Sequence, residues 1–188
     1  MSKNTKYDIP NDALVILVGT PRSGKLELAK KIAGNEDDII SSSQIRKNMA
    51  GNEVDQAHNS DVFVEFCRRI EEKVKKGKLA IADATSIFYA SRKKLYTLAQ
   101  KYNRPIRVVI MNVTLEEILE QNLKRTRMIP EETLINMYEQ LDERYRKIQN
   151  EVKKIPNAKV CDVFWRERII RYRDEKESCV NLDEKTFE

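Results

Sequence analysis

Very little in this sequence can hold a soft metal or a disulfide framework. The 188 residues include three cysteines, Cys67, Cys161 and Cys179, and a single histidine, His58. The cysteines are odd in number, widely spaced and without a CxxC pair, which argues against both a zinc module and a disulfide scaffold. Cys67 and Cys161 are expected as reduced thiols in or near the core. Glycine and proline are also scarce, five of each, and too scattered to mark a flexible linker; there is no internal repeat or low-complexity tract. No apolar run approaches ~20 residues, which excludes a membrane-spanning helix. The opening "MSKNTKYDIPND" is polar and lacks the apolar centre of a signal peptide. A cytoplasmic protein is the expectation.

Charge is abundant: 35% of the residues are charged and 40% hydrophobic. The apolar residues are gathered in short runs, as in a globular chain rather than a disordered one. This length suits one well-buried core. One domain over residues 1–165 is expected, followed by a tail over 166–188 that is either a closing helix or partly disordered. The net charge of +5 leans mildly towards phosphate or nucleic-acid partners.

The organisation is an alternation of strands and helices. "ALVILV" (13–18) is a short, β-branched run of the kind buried on both faces of a parallel sheet. A glycine-containing loop follows, and "KLELAKKIAG" (25–34) reads as a helix stopped by Gly34. Further strands are expected at 38–41, 78–83, 106–113 and 158–165. Helices are expected at 60–77 with Ser60 as N-cap, 91–102, 114–125, and 130–155 with Pro130 in its first turn. Strands joined by helices demand right-handed crossovers. The expected fold is therefore α/β: about five parallel strands, helices on both faces, and a helical lid at about 114–138.

Chemistry concentrates in four places. "GTPRSGKL" (19–26) follows a strand and opens a helix, with Gly19, Gly24 and Lys25 spaced as in a phosphate-binding loop. Thr20, Pro21, Arg22 and Ser23 complete the cradle, whose competing reading is an ordinary glycine turn. Leu26 stands where that pattern has a magnesium-binding hydroxyl, and it offers no ligand. "ISSSQIRKNM" (40–49) follows the second strand. There Ser43, Gln44 and Arg46 read equally as acceptor-binding groups or as a serine-rich turn capping a short helix. Asp83, closing "KLAIAD", can hold magnesium or its water beside the loop, or merely cap a helix; Thr85 lies just beyond it. "NLKRTRMIP" (122–130) packs Lys124, Arg125 and Arg127 between two helices, as a lid that brings positive charge over a transferring phosphoryl group or as a solvated basic turn.

Taken with "DQAHNSDVF", "SRKKLYTLAQKY" and "PEETLINMY", these stretches resemble, in order and spacing, the 5′-hydroxyl polynucleotide kinases of the bacteriophage and bacterial RNA-repair type. The resemblance covers roughly residues 13–145. It implies transfer of the γ-phosphate of ATP or another nucleoside triphosphate, with Mg²⁺, to a 5′-hydroxyl end of RNA or DNA. Lys25 would grip the β- and γ-phosphates, Arg125 would stabilise the transferring group with Arg127 beside it, and Arg46 would contact the acceptor's phosphate. The family's catalytic aspartate falls on Ser43. A serine is no base near neutral pH, and general-base assistance is typically worth ~10²–10⁴-fold. No phosphatase or ligase module is recognisable beside it. Three readings follow: a working end kinase, a catalytically degenerate relative that binds nucleotide or nucleic acid, and a small-molecule or nucleoside kinase on the same fold.

Overall fold

The computed structural model describes residues 3–4, 8–51, 59–164, 169–172 and 179–181. His58, Trp165 and, in the C-terminal tail, residues 166–168, 173–178 and 182–188 lie outside the described residues. In chain order the elements are β1 Lys3–Asn4, β2 Ile9–Pro10, β3 Leu14–Val18, α1 Lys25–Ile32, a single 3₁₀ turn Glu36–Asp38, β4 Ile39–Ser41, α2 Ser42–Ala50 and α3 Asn59–Lys75. They continue as β5 Ala80–Asp83, α4 Tyr89–Lys101, β6 Ile106–Asn112, α5 Leu115–Leu123, α6 Glu131–Val152, β7 Ala158–Phe164, β8 Ile169–Tyr172 and β9 Cys179–Asn181.

The main sheet runs β4-β5-β3-β6-β7-β8-β9. Its first five strands are mutually parallel, as expected from the alternation. The last two are antiparallel and come from the C-terminal tail. Where those residues are described the tail is strand, so a closing helix gives way to an extension of the sheet. Its short β-branched pieces pair with the edge that β7 would otherwise expose.

The strands show why this sheet needs cover on both sides. Leu14, Ile16 and Val18 of β3 enter one apolar cluster with Phe66 and Ile70 of α3, Leu95 of α4 and Ile148 of α6. The alternate residues Val15 and Leu17 enter a second cluster with Leu28 and Ile32 of α1, Ile118 of α5 and Leu134 of α6. All five β3 side chains are fully buried. Each such aliphatic side chain contributes about 1.5–3 kcal/mol of burial, which pins the strand's register and with it the loop that follows. Cys67 and Cys161 are buried free thiols, and burial pushes the Cys67 thiol up to about 11.

Three helix ends differ from the sequence reading. α1 stops at Ile32, where Ala33 turns extended and returns its N–H to Ala29, one residue before Gly34. Ser60 lies inside α3, whose first described residue is Asn59. Pro130, with extended ψ, is the N-cap of α6: its carbonyl accepts from Thr133 and Leu134 while it stays outside the helix. Gly77 behaves as read. With φ +65 it closes α3, its N–H donating to Val74 O and that of Lys78 to Lys73 O.

One buried ion pair ties the layers together at the site's edge. Arg92 of α4, 2% exposed, meets both carboxylate oxygens of Glu151 of α6, at 3.0 and 2.9 Å. Its remaining donors hold the carbonyls of Ser86 and Ile87 at 2.7 Å. The strand-end loop after β5, strained at Ser86 (φ +46), is thus fixed by a guanidinium rather than by apolar packing. Among the described residues no helix is long and apolar enough to cross a membrane. Glu151→Ala, which leaves Arg92 buried without its carboxylate, is expected to cost about 3 kcal/mol in a urea titration. Glu72→Ala, which removes an exposed partner of Arg68, should cost less than about 1 kcal/mol.

Candidate functional site

The carboxyl ends of β3, β4 and β5 open into one cleft of about 2070 Å³, whose far wall is the turn between α5 and α6. This is where a parallel sheet presents its ligand-binding loops. Gly19 follows β3 and donates its N–H to Thr85 O at 3.0 Å, joining the loops after β3 and β5. A Cβ at Gly19 would stand 2.6 Å from Ser23 Oγ and 2.9 Å from Met111 Cβ, so only glycine fits against β6. Arg22 (φ +69) and Gly24 (φ +82) then bend the chain through left-handed conformations into α1, turning the loop back over the helix N-terminus. Ser23 is buried and spends its hydroxyl on Thr20 O at 2.8 Å.

Lys25 is the first residue of α1 and only 9% exposed. Its Nζ donates to Thr20 O at 2.7 Å and Gly19 O at 3.2 Å. Burial pulls its pKa from 10.5 down to about 8, with Asp83 and Glu27 pulling weakly the other way. A cation held on two neutral carbonyls is poorly compensated and is poised for an anion. Leu26 is 40% exposed on the cleft wall and brings no oxygen there.

Asp83 ends β5, 7% exposed, its pKa raised by burial against the opposing charge of Lys25 and a hydrogen bond from Ser41. Ser41 Oγ donates to Asp83 Oδ2 at 2.8 Å, and Ser43 Oγ lies 3.0 Å from Ser41 Oγ, so Ser43 reaches the carboxylate through one intervening hydroxyl. Ser42 bonds the carbonyl of Asp83 at 3.3 Å. Thr85 and Arg46 also line the cleft, Arg46 with Nη2 on Asn59 Oδ1 at 2.9 Å. Gln44 turns along its own helix to Asn48 at 3.0 Å.

The basic turn divides. Arg125 and Arg127 line the cleft, whereas Lys124 does not. Arg125 Nη2 meets Glu27 Oε1 at 3.4 Å, both side chains about half exposed. The turn is held by a residue that sequence reasoning did not single out: buried Asn122 donates to Ile129 O at 2.8 Å and accepts from Ile129 N at 3.0 Å. Arg22 of the phosphate loop joins it, with Nε on Asn122 Oδ1 at 3.3 Å and Nη2 on Arg127 O at 2.7 Å. The loop and the expected lid are therefore one hydrogen-bonded unit. α6, Glu131–Val152, matches the helix expected at 130–155, and its second half buries Ile148 and Val152 in the core. Ser41 and Glu27 were missed because each acts through a partner distant in sequence, and Asn122 because its side chain both closes its own turn at Ile129 and receives Arg22 from the phosphate loop; the only local hint was a carboxylate directly after Leu26.

Oxygen ligands for magnesium are few. Among the described residues no group of three or more His, Cys, Asp or Glu side chains could hold a metal ion. At the strand ends Asp83, with Ser41 hydrogen-bonded to it, offers a single carboxylate, which suits an ion carried in chiefly by phosphate oxygens.

The family described as AAA domain matches residues 14–144, more than half of the chain, from β3 into α6. The chain belongs to this AAA domain family. Its α/β P-loop kinase-like fold recurs in solved structures. A chain of the Pnkp1/Rnl/Hen1 RNA repair complex matches with a TM-score of 0.63 and 21% identity, over 72% of this chain and 45% of that one. A gluconokinase from Sinorhizobium meliloti 1021 matches with a TM-score of 0.52 and 18% identity, over 81% and 83%. Chaetomium thermophilum Kti12 in complex with ADP-AlF3 gives 0.52 and 18%, over 68% and 79%. At these identities the likeness is one of fold, and the chain spans less than half the length of the RNA-repair chain.

Two predictions follow from how this AAA domain holds its loop. A lysine whose folded pKa of about 8 lies below its unfolded 10.5 penalises folding below pH 8, and the penalty fades as pH rises towards 10.5. Lys25→Met should therefore raise the unfolding free energy at pH 7, by on the order of 2 kcal/mol, with the advantage shrinking in melts at pH 10. Arg22→Ala should release the 122–129 turn, read as amide exchange there at least about tenfold faster at unchanged global stability.

Proposed function

We propose that this chain is a P-loop phosphotransferase of the polynucleotide 5′-hydroxyl kinase kind. It would move the γ-phosphoryl group of ATP or another nucleoside triphosphate to the 5′-hydroxyl of an RNA or DNA end. One observation carries the reading: the buried cation Lys25, the strand-end groups Asp83, Ser41 and Ser43, and the lid arginines Arg125 and Arg127 surround the same cleft. Phosphoryl transfer needs positioning and positive charge more than covalent chemistry from the protein, and this set supplies both.

In this mechanism the backbone of residues 19–25 and the first turn of α1 receive the phosphates, and Lys25 moves from its carbonyls to the β- and γ-phosphate oxygens. Arg125 meets the transferring group, with Arg127 beside it. Arg46, facing the cleft from α2, fixes the acceptor's phosphate, with Thr85 at the cleft floor. Ser43 accepts a hydrogen bond from the acceptor hydroxyl and orients it, since its own basicity is negligible. Asp83, with phosphate oxygens, would hold a magnesium ion, which when bound offsets negative charge on the phosphates.

Leu26 and Ser43 favour a second reading, in which the chain binds nucleotide or nucleic-acid ends without turning them over. The test is transfer of label from γ-labelled ATP with Mg²⁺ to a 5′-hydroxyl oligonucleotide. A slow transfer is expected that disappears in Lys25→Ala and rises about 10²-fold in Ser43→Asp, by restoring a carboxylate base. No transfer by the native chain, with transfer by Leu26→Ser/Ser43→Asp, would select the binding-only reading. Label on sugars or nucleosides and none on oligonucleotides would move the assignment to a small-molecule kinase.

A further inference from the structure

Glu27 is the third residue of α1, where an acid ordinarily satisfies the helix's first turn. Gly24, the N-cap, supplies no side-chain hydrogen bond of its own. That first turn is also the part of the helix a phosphate would use, and Glu27 lines the cleft with Lys25 and Arg125. Its carboxylate meets Arg125 at 3.4 Å and its charge reaches both Lys25 and Asp83.

We propose that Glu27 is a built-in counter-anion of the phosphate cleft: it occupies the lid arginine Arg125 when no ligand is bound and makes the cleft discriminate by ligand charge. The inference rests on the cleft being a phosphate site. Three of the cations that line the cleft, those of the phosphate loop and the facing turn, have an internal stand-in: Lys25 on carbonyls of its own loop, Arg22 on the turn, Arg125 on Glu27. Only the last of these stand-ins is itself an anion. An ion pair this exposed is worth little in water, so a polyphosphate can take Arg125 away from it at small cost. Once it has, the freed carboxylate stays at the mouth of the cradle and repels the bound charge. The repulsion grows with ligand charge and is relieved when a divalent cation offsets that charge.

Calorimetric titration tests this, with sodium tripolyphosphate and with ATP in the absence and presence of Mg²⁺, on the native chain, Glu27→Gln, Arg125→Ala and the double variant. Thermal melts of each variant check folding. Glu27→Gln should bind metal-free ATP and tripolyphosphate about tenfold tighter in about 10 mM salt, where the Debye length is ~30 Å, and lose most of that gain in about 1 M salt. The gain should shrink with Mg²⁺, and shrink again in the Arg125→Ala background, where there is no arginine to release. Binding that is unchanged or weaker in a folded Glu27→Gln, beside a native chain that binds, overturns the counter-anion role and leaves the phosphate cleft intact. If neither chain binds either ligand, the phosphate cleft itself is overturned and the counter-anion with it. Binding by Glu27→Gln where the native chain shows none supports the proposal in its strongest form.

Discussion

Lys25 sits almost out of water with its ammonium against two main-chain carbonyls, and the surrounding architecture serves to keep it there. Desolvating that amine opposes folding, and carbonyl dipoles only partly offset the loss. The offsetting stability comes from the sheet beneath it, where β3 is buried on both faces and β5 and β6 flank it in register. Because Gly19 has no Cβ, the loop can lie directly on Met111 and bond the strand-end loop at Thr85. A cation placed this way returns its desolvation cost when an anion arrives, which is how a binding site differs from a buried lysine that merely survives.

The 122–129 turn is coupled to this loop through Arg22. A non-glycine residue in a left-handed conformation is a strained choice, and here the strain aims a guanidinium at Asn122 and the carbonyl of Arg127. On the opposite side, Arg92 and Glu151 fix the loop after β5 with a buried bidentate pair. The cleft is thus bounded by two guanidinium-built joints of different burial. The Arg92 joint is rigid because breaking it would strand a charge in the interior, whereas the Arg22 joint is partly exposed and can be remade. Motion is therefore favoured at the 122–129 turn rather than at the loop after β5.

The parallel core was legible in the sequence because the β-branched run at 13–18 leaves no polar face for solvent and the short apolar runs at 78–83 and 106–113 alternate with helices, and the loop at 19–26 because its spacing sits between a strand and a helix. Helix ends were legible where a glycine enforces a left-handed turn, as at Gly77, and shifted by about one residue where Ala33 or Pro130 ends or begins a helix by backbone torsion. The two antiparallel strands of the tail carry too few residues each, four and three, to show a period. Ser41, Glu27 and Asn122 could not be found because their importance lies in a partner 42, 98 and 100 residues away. Local pattern specifies elements; it does not specify which polar side chains meet across the ends of a sheet.

The two substitutions at Leu26 and Ser43 act on different parts of the site, and the geometry separates their consequences under the phosphotransfer reading. Leu26 removes an oxygen without disturbing the cradle, since Ser23, Gly24 and Lys25 are held by bonds that do not involve it. Magnesium retention should then depend on phosphate oxygens and Asp83. Ser43 removes a base but keeps a hydroxyl tethered through Ser41 to a carboxylate, so an acceptor hydroxyl can still be oriented. In a loose transition state little proton transfer is needed before the phosphoryl group is in flight, and orientation with positive charge carries most of the acceleration. Under that reading the losses would lower the rate while leaving recognition in place, and the cleft's remaining selectivity would fall to its charges: Lys25, Arg125 and Arg127 attracting phosphate, Glu27 and Asp83 limiting how much of it can be held.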